Sequence, residues 1–264
     1  MKTCGLAKAV ATGMIAVALV VLGSLAARAA YFSESFDTYT PGLGVAAQSS
    51  GVWTQWPGCA DALVQTGGNP GNAMNFTDNS GAVDLYAIPG DLYNGQSSFR
   101  FSCDFYHAPG AGDGLPQLLL ENTQYGSNFA IFFGYYNGNE LRVRCGSDFD
   151  TLLTTFTPSQ WHHLTVDVRK IVPAPWSVSY GIYLDSLLLS TVYGNDVTLN
   201  TIEFGEMSSD GNPATFVLVD NVNTTFIPEP SIAAMLGMGL AGILIRRRSG
   251  AGRSSAPVAP GKSA

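Results

Sequence analysis

The carboxyl pair that comes nearest to a glycosidase arrangement is Glu203-Phe-Gly-Glu206. Cleavage of a glycosidic bond requires two carboxyl groups that flank the scissile bond. A spacing of three residues places Glu203 and Glu206 on opposite faces of a regular strand, because side chains alternate with period two. Gly205 indicates the end of that strand. The sequence therefore predicts no catalytic site and no enzyme. The alternative is a polysaccharide hydrolase or lyase that uses Glu203 or Glu206.

Three histidines are available for metal or nucleophile chemistry, namely His107, His162 and His163. Neighbouring residues on a strand face opposite sides, so His162 and His163 are not expected to bind one metal ion together. His107 has no cysteine or histidine at zinc spacing. No G-x-S-x-G segment is present to supply a nucleophile. His162 shares the face of Leu164 and is predicted to pack at a strand edge.

Three tryptophans are candidates for a glycan platform. Trp53 and Trp56 lie in a segment bounded by glycine and proline, and Trp176 follows Pro173-Ala-Pro175. Binding residues are concentrated on loops, so aromatic rings there are better platform candidates than rings within strands. We predict Trp53, Trp56 and Trp176 as the platform. The alternative is that these rings cover the core.

The elements that must position these side chains are β-strands. Ser98 to Phe105 alternates, with the phenylalanines and Cys103 on one face, which indicates a half-buried antiparallel strand. Phe129 to Tyr136 and Glu140 to Cys145 flank an Asn-Gly-Asn turn and predict a hairpin. Many short strands separated by turn residues, without an amphipathic helix of about 10 residues, indicate an all-β sandwich or barrel. Further predicted strands are Trp161 to Val168, Ser177 to Leu184, Leu187 to Tyr193, Thr201 to Gly205 and Thr215 to Phe226.

The N-terminus has the pattern of a secretory signal peptide. Lys2 and Lys8 precede an apolar stretch from Ala9 to Ala27, and Ala27-Arg28-Ala29 is a small-x-small cleavage site. We therefore predict a signal peptide over residues 1–29, export through the Sec machinery, and a β-domain over residues 30–227. An uncleaved membrane helix is the alternative.

The C-terminus has three parts in order. Pro228-Glu229-Pro230 is followed by an uncharged apolar run from Ile232 to Ile245 and then by Arg246, Arg247 and Arg248. The run spans about 21 Å as a helix, short of a hydrocarbon core of about 30 Å. Arginines at its end are expected to stay on the cytoplasmic side as a membrane stop. These features predict a short transmembrane helix that acts as a weak anchor.

This tail resembles the PEP-CTERM sorting signal of Gram-negative bacteria. The resemblance implies that exosortase, a membrane enzyme, recognises Pro228-Glu229-Pro230 and processes the chain. Residues 249–264 extend beyond the arginines, unlike most tails of that family. These residues are small, polar and interrupted by proline, so they are predicted to be disordered. An ordinary C-terminal membrane anchor is the alternative.

The predicted exported body is strongly acidic. Of 13 basic and 20 acidic residues, 5 and 19 respectively lie between Ala30 and Pro228, so the body carries a net charge of about −14. Such a surface repels nucleic acid and anionic polymers and suits neutral glycans or cations. It also serves solubility outside the cell. Cys59, Cys103 and Cys145 are an odd number, so at least one does not pair within the chain.

The order of landmarks in the body resembles the concanavalin/laminin-G group of jelly rolls. These landmarks are Phe32 to Tyr39, Trp161 to Asp167, Tyr180 to Asp185 and Val217 to Val222. The resemblance implies an antiparallel β-sandwich whose first and last strands lie close together. By analogy with jelly-roll carbohydrate modules, Glu34, Asp37 and Asp220 are candidates for a structural calcium site. The alternative is that these side chains cap turns and strand ends.

Together these observations predict the location of the protein more closely than its activity. We expect an exported, non-catalytic protein that is anchored transiently in the membrane and then resides at the cell surface or in an exopolysaccharide matrix. Its sandwich is expected to bind glycan, with exopolysaccharide as a partner. A structural matrix protein without a ligand is the alternative.

Overall fold

We describe the fold from a computed structural model of the chain. The structure describes residues 31–76, 84–108, 115–121, 129–134, 138–146, 148–171, 177–194, 198–207 and 216–227. The chain divides into one compact unit, Ala29–Ile227, and a second formed by Met1–Arg28 and Pro228–Ala264. Every described residue belongs to the first unit, so the predicted signal peptide and the C-terminal tail lie outside the described residues.

The described part of the first unit is built almost entirely from strands. In chain order the elements are β1 (Phe32–Glu34), α1 (Val45–Gln48), β2 (Trp53–Gln55), β3 (Leu63–Gly68), β4 (Gly71–Asn75), β5 (Asp84–Ala87), β6 (Ser98–Ala108), β7 (Leu115–Glu121), β8 (Phe129–Phe133), β9 (Glu140–Cys145), β10 (Asp148–Thr155), β11 (Trp161–Ile171), β12 (Ser177–Leu184), β13 (Leu187–Gly194), β14 (Thr201–Met207) and β15 (Phe216–Phe226).

These strands form two antiparallel sheets, which confirms the predicted all-β sandwich. In the described residues, the eight-stranded sheet has the order β13-β12-β11-β6-β15-β4-β3, with β1 also paired to β15. The seven-stranded sheet has the order β10-β9-β8-β7-β14-β5-β2. Non-consecutive neighbours such as β6 and β15 are typical of jelly rolls. The first and last strands pair directly, Phe32 opposite Thr224, as the resemblance implied.

The main core lies between the two sheets and follows from side-chain alternation. Phe99, Phe101, Cys103 and Phe105 of β6 are fully buried, while Arg100 between them is exposed. Inward-facing residues of β7 and β14 complete the core from the other sheet. The period-two pattern therefore predicted the buried face of β6 correctly, because only one face of that strand is covered.

Strand ends differ from the prediction at two glycines. The strand predicted to reach Tyr136 ends at Phe133, because Gly134 adopts a left-handed conformation with φ of 73°. The strand predicted to end at Gly205 continues to Met207, and Gly205 pairs with Asp84 on one side and Gln117 on the other. Gly205 is thus a mid-strand residue of β14, which continues past it without a bulge.

Two further features bear on the sequence predictions. Within the described residues, no helix is long and apolar enough to cross a membrane, and the run Ile232 to Ile245 lies outside those residues. Cys103 and Cys145 are buried, and no disulfide joins either of them to Cys59.

Candidate functional site

The face of the seven-stranded sheet that points away from the main core carries three carboxyl groups. Ile202 and Phe204 of β14 face the core, so Glu203 between them faces outwards. The same alternation turns Glu121 of β7 and Asp84 of β5 to this outer face. β5 and β7 are the two neighbours of β14, so three adjacent strands each contribute one carboxyl group.

The register places these groups in a diagonal line, which we call the carboxyl row (Asp84, Glu203 and Glu121). Asp84 lies opposite Gly205, and Glu121 lies opposite Thr201, so each is displaced two residues from the position directly across from Glu203. Diagonal neighbours on one face of a sheet are within reach of long side chains. Glu203 therefore sits in the middle and accepts hydrogen bonds from both flanking carboxyl groups.

Burial and mutual repulsion keep protons on the carboxyl row. The pKa of Asp84 is raised to about 8, mainly by burial and then by the charge of Glu203 and the hydrogen bond with it. Burial, the hydrogen bond to Glu203 and that residue's charge raise the pKa of Glu121 to about 8 as well. Near neutral pH, Asp84 and Glu121 are thus mainly neutral acids that donate to Glu203.

An aromatic pair, the exposed Trp56 and the half-buried Tyr86, lies beside the carboxyl row. The indole Nε1–H of Trp56 donates to Glu203 Oε2 at 3.1 Å, and the backbone N–H of Trp56 donates to the carbonyl of Asp84 at 3.0 Å. The two rings lie 4.9 Å apart between centroids. Trp56 is 37% exposed. Its ring is therefore accessible to a ligand, while Glu203, Asp84 and Tyr86 fix its orientation.

Cys59 closes the turn that follows Trp56. Its backbone N–H donates to the carbonyl of Trp56 at 3.1 Å. Burial, and then the charges of Asp84 and Glu203, raise the pKa of the Cys59 thiol. The Cys59 thiol is therefore held in its neutral, weakly nucleophilic form.

The three predicted platform tryptophans have different outcomes. Trp56 is exposed beside the carboxyl row. Trp53 is 1% exposed and packs against Phe36 and Phe204 in the core, so its assignment to the platform is wrong. Trp53 faces inwards because β2 pairs with β5 and turns this side chain between the sheets. Trp176 lies outside the described residues, and its place in the platform stays a prediction.

The side chains predicted to bind calcium accept hydrogen bonds from nearby groups of the protein instead. Glu34 accepts from the Tyr39 hydroxyl at 2.7 Å and from the Phe36 amide at 3.1 Å. Asp37 accepts from the amide of Asn72 at 3.0 Å. Across the described ranges, no group of three or more histidine, cysteine, aspartate or glutamate side chains is placed to hold a metal ion. The described residues therefore do not fit the predicted calcium site.

Asp220, the third predicted calcium ligand, is fully buried in a turn network of the eight-stranded sheet. It accepts from the backbone amides of Asn69 and Asn221, each at 2.7 Å. Burial raises the pKa of Asp220 to about 6, and the charges of Asp37 and Asp104 act in the same direction. This arrangement matches the capping alternative.

The histidines lie on the eight-stranded sheet or in the core. His162 faces inwards, is 6% exposed and bonds Asp185 at 2.8 Å, while His163 faces outwards and bonds Asp104. The prediction that the two point to opposite sides is confirmed. His107 is fully buried against Phe156, and desolvation lowers the pKa of its imidazole to about 4.

Sequence reasoning identified Glu203 and Trp56 but missed Asp84, Glu121 and Tyr86. β7 was not predicted, because Leu118-Leu119-Leu120 is a continuous apolar run without period two. Its middle residue, Leu119, packs with Ala130, Phe132 and Leu115 in a small second cluster on the outer face. Because β7 is apolar on both faces, its sequence does not indicate that Glu121 points outwards.

The C-terminal tail matches a known protein-sorting motif. The family profile of the PEP-CTERM protein-sorting motif matches residues 226–248.

The chain carries a PEP-CTERM sorting motif.

This motif implies an exported protein that is anchored at its C-terminus before release and processed by exosortase. No curated protein sequence matches the chain.

Solved structures resemble the body in fold. An endo-1,3-β-glucanase from Streptomyces sioyaensis superimposes with a TM-score of 0.52 at 12% identity, covering 74% of this chain and 95% of its own. A carbohydrate esterase from the Shiga toxin-encoding bacteriophage phi24B gives 0.51 at 14% identity, with coverages of 76% and 99%. The globular domain of T. cruzi calreticulin gives 0.50 at 11% identity, with 84% and 97%. At these identities the likeness shows the fold alone, a jelly roll as the sequence resemblance implied.

Proposed function

We propose that this protein is exported through the Sec machinery, sorted by exosortase and placed at the cell surface or in the exopolysaccharide matrix, where its sandwich binds glycan without cleaving it. The observation that carries the binding role is the exposed ring of Trp56, which lies on Tyr86 beside the carboxyl row. Sugar rings stack on aromatic faces through their C–H groups, while their hydroxyls donate to carboxyl oxygens. Trp56 and Glu203 provide both kinds of contact side by side.

The fixed orientation of Trp56 supports a binding role. Its indole N–H, its backbone N–H and its ring are each held by a different partner, namely Glu203, Asp84 and Tyr86. A ring that is ordered before the ligand arrives loses little entropy on binding. Two of the structures with a similar fold are described as acting on carbohydrate, which is consistent with this proposal. The likeness does not identify any binding residue in this chain.

The test is glycan binding by the full-length protein and by Trp56→Ala, measured by affinity electrophoresis against a panel of soluble polysaccharides and against exopolysaccharide from the host. We expect at least about a tenfold loss of affinity in the variant. Tyr193→Ala is the matched control, because Tyr193 is 64% exposed on the other sheet. Unchanged binding in Trp56→Ala would contradict the placement of the site. Binding to no polysaccharide would favour a structural matrix role.

Polysaccharide hydrolysis is a second candidate, and the carboxyl row is the observation that favours it. The row holds a neutral acid and a carboxylate, the two kinds of group that glycosidic cleavage uses, and a substrate would have to separate this hydrogen-bonded pair to lie between them. Release of reducing ends from the bound polysaccharide, abolished in Glu121→Gln and in Asp84→Asn, would support this reaction. Binding without product release would leave the non-catalytic proposal in place.

A further inference from the structure

The carboxyl row has no cationic partner in the described residues. Glu121 is only 7% exposed, and its carboxyl group is hydrogen-bonded to Glu203. Oδ1 of Asp84 is fully occluded and has no hydrogen-bond donor among the described residues. The indole of Trp56 supplies an N–H group to Glu203. A buried oxygen without a donor is costly, so acceptor groups outnumber donors at the carboxyl row.

The basic residues of the body are engaged elsewhere. Arg100 forms an ion pair with Asp167 at 2.6 Å, and Lys170 lies over the ring of Tyr93 at 3.8 Å, both away from the carboxyl row. Arg169 lies 3.9 Å from Asp167. The remaining two, Arg142 and Arg144, belong to β9, which β8 separates from β7. Arg142 pairs with Glu140, and Arg144 lies over the ring of Phe132 at 4.9 Å. Among the described residues, no cation forms an ion pair with Asp84, Glu203 or Glu121.

We propose that the site at Trp56 and the carboxyl row selects uncharged glycans and excludes glycans that carry carboxylate or sulfate groups. This inference rests on the proposed glycan-binding function and names its ligand class. A neutral sugar hydroxyl donates to a carboxyl oxygen beside Trp56 without adding charge to the row. An anionic group at the same place brings a like charge next to Glu203 without a compensating cation.

The discrimination is local to the carboxyl row and differs from the general repulsion of an acidic surface. Exposed charges farther away than about 10 Å are screened at moderate ionic strength, whereas partly buried charges are screened much less. Glu203 and Glu121 are each 7% exposed, so their effect is expected to persist in salt. Asp84 and Glu121 keep their protons near neutral pH because no cation offsets the negative charge of Glu203. This agrees with a site that does not accept a further negative charge.

The test compares matched polymers with the full-length protein. A panel of neutral polysaccharides (mixed-linkage β-glucan, xylan, mannan and dextran) is measured beside the carboxymethylated derivative of each, in about 0.1 M and about 0.5 M NaCl. For each neutral polymer that binds, we expect its carboxymethylated form to bind about tenfold more weakly or worse at both salt concentrations. In Glu203→Gln, which removes the carboxylate and keeps hydrogen-bonding capacity, the difference is expected to fall to about threefold or less. Asp84→Asn replaces an acid that is already neutral near neutral pH, so it should keep most of the difference. Glu140→Gln removes one partly exposed charge from β9 and should keep the wild-type difference.

The possible results separate this inference from the proposed function. Equal binding of neutral and carboxymethylated forms overturns the inference and leaves glycan binding intact. A difference that disappears in 0.5 M NaCl, or that survives in Glu203→Gln, assigns the exclusion to the overall charge and also overturns it. Binding of no polymer, neutral or charged, removes the proposed function and the inference together. Circular dichroism of each variant confirms that the sheets are retained.

Discussion

Protonation of the carboxyl row is expected to make the stability of the body depend on pH, and Glu121→Gln tests this directly. Glu121 has its pKa raised from 4.5 to about 8 in the folded protein. The folded state therefore holds a proton that the unfolded chain releases at lower pH. The stabilisation is complete below about pH 4.5 and is lost progressively as the pH rises to about 8.

The magnitude follows from the size of that shift. Between 4.5 and about 8, an unscreened shift corresponds to about 5 kcal/mol at about 1.4 kcal/mol per pKa unit. Solvent at the open edge of the site, and the sharing of protons within the row, reduce this value. We expect about 2 kcal/mol to remain for Glu121. The amide introduced by Glu121→Gln would donate to Glu203 without titrating, so this part of the pH dependence should disappear.

The assay is urea unfolding of the full-length protein, followed by tryptophan fluorescence at about pH 4.5, 6, 7, 8 and 9 and constant ionic strength. The wild type should lose stability between about pH 5 and 8, and Glu121→Gln should lose about 2 kcal/mol less, which makes it the more stable form at pH 8. Glu140→Gln is the control, because Glu140 is partly exposed and paired with Arg142 at 2.7 Å. Parallel curves for wild type and Glu121→Gln across this pH range would refute the reasoning.

Three other substitutions test the fold and the sorting signal. Trp53→Ala should lower the free energy of unfolding by about 3–5 kcal/mol, because Trp53 fills the core; a loss below about 1 kcal/mol in urea unfolding would show that the ring is not core. Gly134→Ala should cost about 2 kcal/mol more than Gly51→Ala in the same assay. Both glycines have positive φ, but a methyl group at Gly134 would lie 1.9 Å from His107 Nε2, whereas Gly51 has open space. Replacing residues 228–230 with alanines should leave the protein unprocessed in membranes, as seen by gel mobility after fractionation; identical size and location to the wild type would contradict exosortase sorting.

Much of the fold could be predicted because alternation is a local property. Each strand buried on one face shows it in its own residues, as β6 does between Ser98 and Phe105. The predicted strand ends were wrong at two glycines, because a glycine can either end a strand or lie within one. Gly134 ends a strand with a positive φ, while Gly205 continues one, and nothing in the residue type distinguishes the two.

Only part of the candidate site could be predicted from the sequence, because its residues come from strands that are distant in the chain and adjacent in the sheet. Glu203 stood out through its spacing from Glu206, but the carboxyl groups that join it come from positions 82 residues before and 119 residues before along the chain. Glu121 and Asp84 meet Glu203 only because β7 and β5 both pair with β14. Trp53 and Trp56 were indistinguishable in sequence, since both lie in one short segment. The direction in which β2 faces buries the first and leaves the second exposed.

Composition and local order alone determined that the protein is acidic, rich in strands, and marked for export and sorting. Charge, hydropathy and short motifs act on machinery that reads a few consecutive residues, so they need no fold to be effective. The three-dimensional structure decided which carboxyl groups share protons, which tryptophan reaches solvent and where cations are missing. Those properties depend on distances between strands that are remote in sequence, and such distances exist only once the sheets have formed.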